Sequence, residues 1–235
     1  DSEGQLIASV LSKKAAAGST HVVIDIPVGE TAKVRSMEMA QKLKSHMETV
    51  GNSIGLNVKV IITDGTQPVG RGIGPSLEAL DLLSVLKNEK NAPQDLKERA
   101  ILIAGELLEL SGKVEIGSGN ETAKHLLESG KAFKKFLAIC KAQGRYTEPV
   151  LAPYKIEIKA EKSGVLTRID NRKIAKLAKL SGAPHSKSAG ILLNTHLGEK
   201  IEENQVLYTL FAESKGELNY ALEYEKNHNN ILTIT

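Results

Sequence analysis

The sequence has no tryptophan, only three phenylalanines and five tyrosines, and a single cysteine among its 235 residues. With so few rings the core must come from Leu, Ile, Val and Ala, the composition of parallel strands covered by helices. The lone Cys140 excludes an internal disulfide. It sits in the apolar-periodic run 136–140, where a buried, inert thiol is expected rather than a nucleophile. A reducing compartment is the matching expectation, which makes the chain cytoplasmic. No apolar run reaches the roughly 20 residues a membrane helix needs, and no signal peptide is evident, so neither insertion nor secretion is expected. Charge of one sign is also missing: 31 basic residues face 28 acidic ones, a formal +3. That is too small and too evenly spread to point to nucleic acid. Nor is there an initiator methionine. Asp1 and Ser2 lead straight into an apolar-periodic helix, as expected of a cut inside a longer protein.

What is present is a helix–strand alternation. Leu6, Ile7, Val10, Leu11 and Ala15 recur at helical spacing, with Asp1 or Ser2 as candidate N-cap and Gly18 as the stop. Residues 21–26 and 58–62 are short β-branched runs suited to buried strands, and 34–54 between them is an amphipathic helix. This order predicts α/β, part of a parallel-sheet domain with helices. Helices are expected at 76–86, 94–110 and 120–143. Gly and Pro cluster over 144–153, which places a domain boundary there: 1–146 as a partial central α/β domain and 147–235 as a small C-terminal α+β domain. In the latter, strands are expected at 155–159, 165–169, 190–195, 206–212 and 231–234, with helices at 172–180 and 214–225.

The most distinctive local sequence is DGTQPVGRGIGP, from Asp64 to Pro75. It follows a strand and opens a helix, where a phosphate-cradling loop could stand. The dinucleotide fingerprint G-x-G-x-x-G fails at its third glycine, where Pro75 stands, and the G-K-[S/T] of a P-loop is absent. A tight, close-packed loop is the better reading on spacing alone. The six histidines show neither HExxH nor zinc-ligand spacing, so no metal is expected from them. No G-x-S-x-G elbow supports a serine nucleophile. Ser9 and Lys13, at i and i+4, share one helix face. Their hydrogen-bonding groups could grip the edge of a pyrimidine, with its alternating carbonyls and N–H; a solvated helix face is the plain alternative. Lys33 follows the C-terminal end of a strand, where open α/β sheets usually bind ligands. In the second domain, strand, Gly-turn and strand up to Lys215 suggest the scaffold of biotinyl or lipoyl carriers. The carriers' Met-Lys-Met or Asp-Lys attachment signal is missing.

Several of these segments together resemble the thymidine phosphorylase (pyrimidine-nucleoside phosphorylase) family. DSEGQLIASVLSKK at 1–14 is similar to its D-S-x-x-L-I-x-A-S-I-L-S-K-K helix, and VVIDIPVG at 22–29 to its apolar strand ending in V-G. TDGTQPVGRGIGPSLEA at 63–79 is similar to T-D-M-x-Q-P-L-G-x-x-x-G-x-x-x-E, and the spacing between the three agrees. Details such as Asp64-Gly65 and the run from Arg71 to Pro75 look closest to the second subfamily, which includes AMP phosphorylases. The resemblance implies phosphorolysis of a pyrimidine nucleoside such as thymidine, with inorganic phosphate as co-substrate and no cofactor, by a homodimer acting on small molecules. AMP phosphorolysis is the nearest alternative, and a non-catalytic carrier module a more distant one. By position, Ser9 and Lys13 match the family's base-contacting residues. In the AMP branch, Asp1 matches the catalytic acid that protonates the base, and Ser9 and Lys33 match nucleotide contacts. Some relatives bind a monovalent cation, which would fall here on the backbone oxygens of Val69 and Gly72 and on Asp81, where the family usually has Glu. The family's phosphate segment, of the type Lys-x-Ser-x-Gly-Gly-x-Gly-Asp, its base-contacting arginine and its helical dimerisation domain are not in this sequence. The chain alone is therefore expected to be inactive.

Overall fold

The computed structural model describes residues 3–228 and 230–235. In chain order the elements are α1 (Glu3–Ala16), β1 (His21–Val28), α2 (Met37–Ser53), β2 (Asn57–Asp64), β3 (Gly72–Ile73), α3 (Pro75–Leu86), α4 (Gln94–Leu110), α5 (Gly119–Glu128) and α6 (Lys131–Gln143). They continue with β4 (Tyr154–Lys159), β5 (Gly164–Ile169), α7 (Asn171–Leu180), β6 (Gly190–Leu193), β7 (Lys200–Ile201), β8 (Val206–Ala212), α8 (Lys215–Asn227) and β9 (Leu232–Ile234). Parallel and antiparallel sheets with helices make this an α/β fold. Its residues pack as two compact units, 1–65 with 98–129, and 66–97 with 130–235. The expected cut at 146/147 lies inside the second unit.

In the first unit β1 and β2 pair in parallel, in register from His21↔Asn57 to Val28↔Asp64. Parallel strands need a crossover, and α2 supplies it. Alternation along the strands turns Val22, Ile26, Val58 and Val60 into a core shared with Ala40, Leu43 and Met47 of α2 and Ile7 and Leu11 of α1. The predicted helix from 34 starts instead at Met37. Val34 is buried and bridges Val28, and Ser36 accepts the Met39 N–H as N-cap. The single helix expected over 120–143 is two. Gly130, at φ 73°, ends α5 and begins α6, because a left-handed residue cannot continue a helix. Cys140 on α6 is half-buried, not buried, and no residue of α6 is fully buried.

The second unit holds a four-stranded sheet in the order β3-β6-β8-β4 and a three-stranded one in the order β7-β5-β9. β8 is buried from Leu207 to Ala212, on both faces, as befits its inner position. Leu166, Ile174, Leu177, Ile191, Leu210 and Ala221 centre its core. Asp170 caps α7 by accepting the N–H groups of Arg172 and Lys173. β3 and β7, of two residues each, are strands the sequence pattern did not reveal, and β3 lies in the glycine loop.

Candidate functional site

In the first unit, α1 is anchored from behind by Ile7 and Leu11. Its opposite face presents Ser9 and Lys13, both exposed and one turn apart. The start of the helix is tied down through Glu3, which pairs with Lys42 (3.1 Å) and with His46, themselves one turn apart on α2. The bond from Lys42, then that from His46, holds the Glu3 carboxyl below its ordinary value. Asp1, the matched catalytic acid, lies outside the described residues. Lys33 stands on a different element, the loop leaving β1. That loop closes on itself through Gly29 N–H to Val34 C=O (3.1 Å) and Ala32 N–H to Gly29 C=O (3.0 Å), and Lys33 is exposed on it. The structure thus brings Ser9 and Lys13 to one face and sets Lys33 at the C-terminal edge of the sheet.

Beneath that edge lies a cluster that sequence reasoning missed. Asp25 of β1 accepts the Thr63 hydroxyl (2.6 Å) and an Arg99 N–H (2.8 Å). A second Arg99 N–H goes to the Asp64 carbonyl (2.9 Å), so Arg99 ties β1 to the end of β2. Two turns on, Glu106 of the same helix pairs with Lys59 of β2. The visible signal was Asp25 itself: a carboxylate inside the apolar run 22–26 must find a cationic partner or stay in water.

The glycine loop, in the second unit, is closed by the chain's own carboxylates. Asp95 accepts the Gly70 N–H (2.8 Å), Asp81 accepts those of Arg71 (2.6 Å) and Gly72 (2.8 Å), and Glu78 accepts that of Gly74 (3.0 Å). The close-packed reading of the loop is the one the structure supports. Its β3 strand docks on β6, with Leu193 N–H donating to the Arg71 carbonyl (2.8 Å). The backbones approach so closely that a Cβ on Gly74 would meet the Ala189 carbonyl oxygen at 2.4 Å, and one on Gly190 the Ile73 oxygen at 2.1 Å.

The second unit also has a cleft of about 430 Å³ lined by Ile158, Leu207, Tyr208, Glu225, His228 and Ile231, among others. Burial raises the Glu225 carboxyl above its ordinary value, with Glu161 adding to the rise, while a long bond from the Tyr208 hydroxyl (3.5 Å) opposes it. Burial, with Glu225 beside it, also raises the Tyr208 phenol and keeps it neutral. None of the expected site residues lines this cleft. Lys215 opens α8 directly behind its N-cap Ser214, a helix start and not the hairpin tip a carrier lysine requires. Among the described residues no group of three or more His, Cys, Asp or Glu side chains could hold a metal ion, and no helix is long and apolar enough to cross a membrane.

Residues 165–231 match the family model described as "Pyrimidine nucleoside phosphorylase C-terminal domain". The whole chain is 57% identical over 234 residues to a protein of Legionella pneumophila (strain Corby) named "Putative thymidine phosphorylase", covering 45% of it. It is 53% identical to proteins of the same name from Hahella chejuensis, covering 46%, and Maricaulis maris, covering 45%. The chain therefore spans a little under half the length of these curated relatives. Along its entire length the chain is similar to proteins named "Putative thymidine phosphorylase", and its residues 165–231 match the C-terminal domain of pyrimidine nucleoside phosphorylases.

Proposed function

We propose that the full-length protein is a pentosyltransferase that catalyses the phosphorolysis of thymidine. A phosphate oxygen bonds to the anomeric carbon as the N-glycosidic bond breaks. The electron pair of that bond leaves with the base, giving thymine and 2-deoxy-α-D-ribose 1-phosphate. Negative charge thus grows on the base carbonyls in the transition state, and donors at the base edge bind it more tightly than they bind the ground state. The observation that carries this reading is the pair Ser9 and Lys13, exposed one turn apart on α1 while Ile7 and Leu11 fix that helix to the core. The hydroxyl and the ammonium are the groups a pyrimidine edge needs. Lys33 as a substrate contact and Asp1 as proton donor to the base are carried over from the AMP branch, and two copies of the protein form the working enzyme.

The test gives thymidine, uridine and AMP in parallel, each with phosphate, to the full-length protein and follows base release by ultraviolet absorbance. Thymidine is expected to turn over. Turnover of AMP alone would make the enzyme an AMP phosphorylase, releasing adenine and ribose 1,5-bisphosphate. The 235-residue chain by itself is expected to be inactive, and phosphate-dependent thymine release from it would overturn the division of the site on which this reading rests.

A further inference from the structure

The resemblance implies, for some relatives, a monovalent cation at the glycine loop on the backbone oxygens of Val69 and Gly72 and a carboxylate at Asp81. The donor set of this chain does not fit such an ion. An ionised carboxylate has about four lone-pair sites, and Asp81 receives four N–H groups. Its Oδ2 takes the amides of Arg71 and Gly72, and its Oδ1 takes the Arg71 guanidinium through Nε (3.0 Å) and Nη2 (2.8 Å). The Asp81 side chain is 5% exposed and that of Arg71 30%, so the pair is closed on the carboxylate side and reaches water only through the guanidinium. A metal ion ligated by Asp81 would have to displace bonds already made and sit beside a fixed positive charge.

We infer that Arg71 is the resident cation of this loop: its guanidinium supplies to the Asp81 carboxylate the positive charge that an alkali ion would otherwise supply. The loop then closes without potassium or sodium. The planar fork suits this role, because two parallel N–H groups and the backbone amide of the same residue grip one carboxylate. The counter-charges explain why a cation is needed at all. Asp81, Asp95 and Glu78 all turn their oxygens onto this short loop. Without the guanidinium the Asp81 carboxylate would lose its cationic partner, and an ion from solution would be drawn in. This inference concerns folding of the loop, so it stands or falls apart from the reaction proposed above.

A ligand that binds only the folded state raises the unfolding midpoint with its concentration. The experiment follows thermal unfolding of the full-length protein through rising KCl or NaCl, each against choline chloride at equal ionic strength. For the wild type the alkali and choline series are expected to coincide. For Arg71→Met the midpoint in choline chloride is expected to fall, and KCl or NaCl should restore part of it. A saturable rise specific to potassium or sodium in the wild type would overturn the inference. So would an Arg71→Met protein whose midpoint recovers no more in alkali salts than in choline. If Arg71→Met does not fold, the wild-type series decides alone, since a resident alkali ion must show itself there.

Discussion

Replacing Asp81 with alanine removes one carboxylate and strands four donors. The side chain comes from α3 and the residue is 4% exposed, so water does not reach the donors on its inner side. The guanidinium of Arg71 is partly exposed and regains water, so its share of the loss is small. The amides of Arg71 and Gly72 are less fortunate. An unsatisfied buried N–H costs about 1–3 kcal/mol, with the higher end fitting bonds to a charged acceptor. Two of them, with the residual loss from the ion pair, come to roughly 3–5 kcal/mol, the range found when one partner of a buried pair is removed. For a protein of this size that corresponds to a fall in Tm of roughly 6–20 °C. Urea and thermal unfolding, followed by far-ultraviolet circular dichroism, measure both quantities. Asp81→Asn separates hydrogen bonding from packing: it keeps the volume and can turn its oxygen to the two amides, so it should recover most of the loss. A cost below about 1 kcal/mol for Asp81→Ala, little more than a surface change, would refute the claim that this carboxylate holds the loop.

Lys13→Ala in the full-length protein should lower kcat/KM by roughly tenfold or more, about 1.4 kcal/mol per decade, if the ammonium stabilises the departing base; an unchanged value returns Lys13 to a solvated helix face. Gly190→Ala should destabilise by roughly 2–6 kcal/mol in chemical denaturation, combining overpacking with a strained backbone, because its Cβ would stand 2.1 Å from the Ile73 oxygen at φ 146°; a loss under about 1 kcal/mol contradicts the close β3–β6 docking. Glu225 gives a pH signature. Its carboxyl is raised above 4.5 by burial, so folding favours the protonated form, and its contribution is most favourable below 4.5 and declines as pH rises through the raised value. Glu225→Gln should therefore stabilise the protein at neutral pH and lose that advantage in acid; an equal effect at both pH values would contradict the assigned burial.

The parallel pair β1 and β2 was legible because a buried strand announces itself as a β-branched run, as at 21–26 and 58–62. The break between α5 and α6 was not, since apolar periodicity continues past Ser129-Gly130 and only the left-handed glycine interrupts it. Two-residue strands such as Gly72–Ile73 have no period to read. They exist because a partner strand offers a matching edge: Gly72 pairs with Leu192, 120 residues further along (192 − 72). Ser9 and Lys13 were placed on a shared face by helix arithmetic alone. Arg99 was invisible for the opposite reason: its partner Asp25 is 74 residues away and on another element. Cys140 shows the limit of periodicity, which reports which residues line up and not whether anything covers them.

The glycine loop illustrates why a motif of amides does not name its anion. A strand followed by a glycine-rich turn and a helix exposes N–H groups whichever acceptor they meet. A phosphate and a side-chain carboxylate satisfy them equally well in geometry. In this chain the choice is made by Asp81, Asp95 and Glu78, nine, 25 and four residues beyond Gly72, Gly70 and Gly74, the glycines whose amides they accept. The amides of Gly70, Arg71, Gly72 and Gly74 are each committed to a carboxylate, and a phosphate entering here would meet like charge as well as occupied donors. If the full-length protein is a phosphorylase, its phosphate must then be held by another segment, and the part of the chemistry that falls to these residues is recognition of the base by the exposed face of α1. Asp81, one of the carboxylates that exclude phosphate, is also the one that the Arg71 guanidinium neutralises, which is why Arg71 and Asp81 belong to one argument.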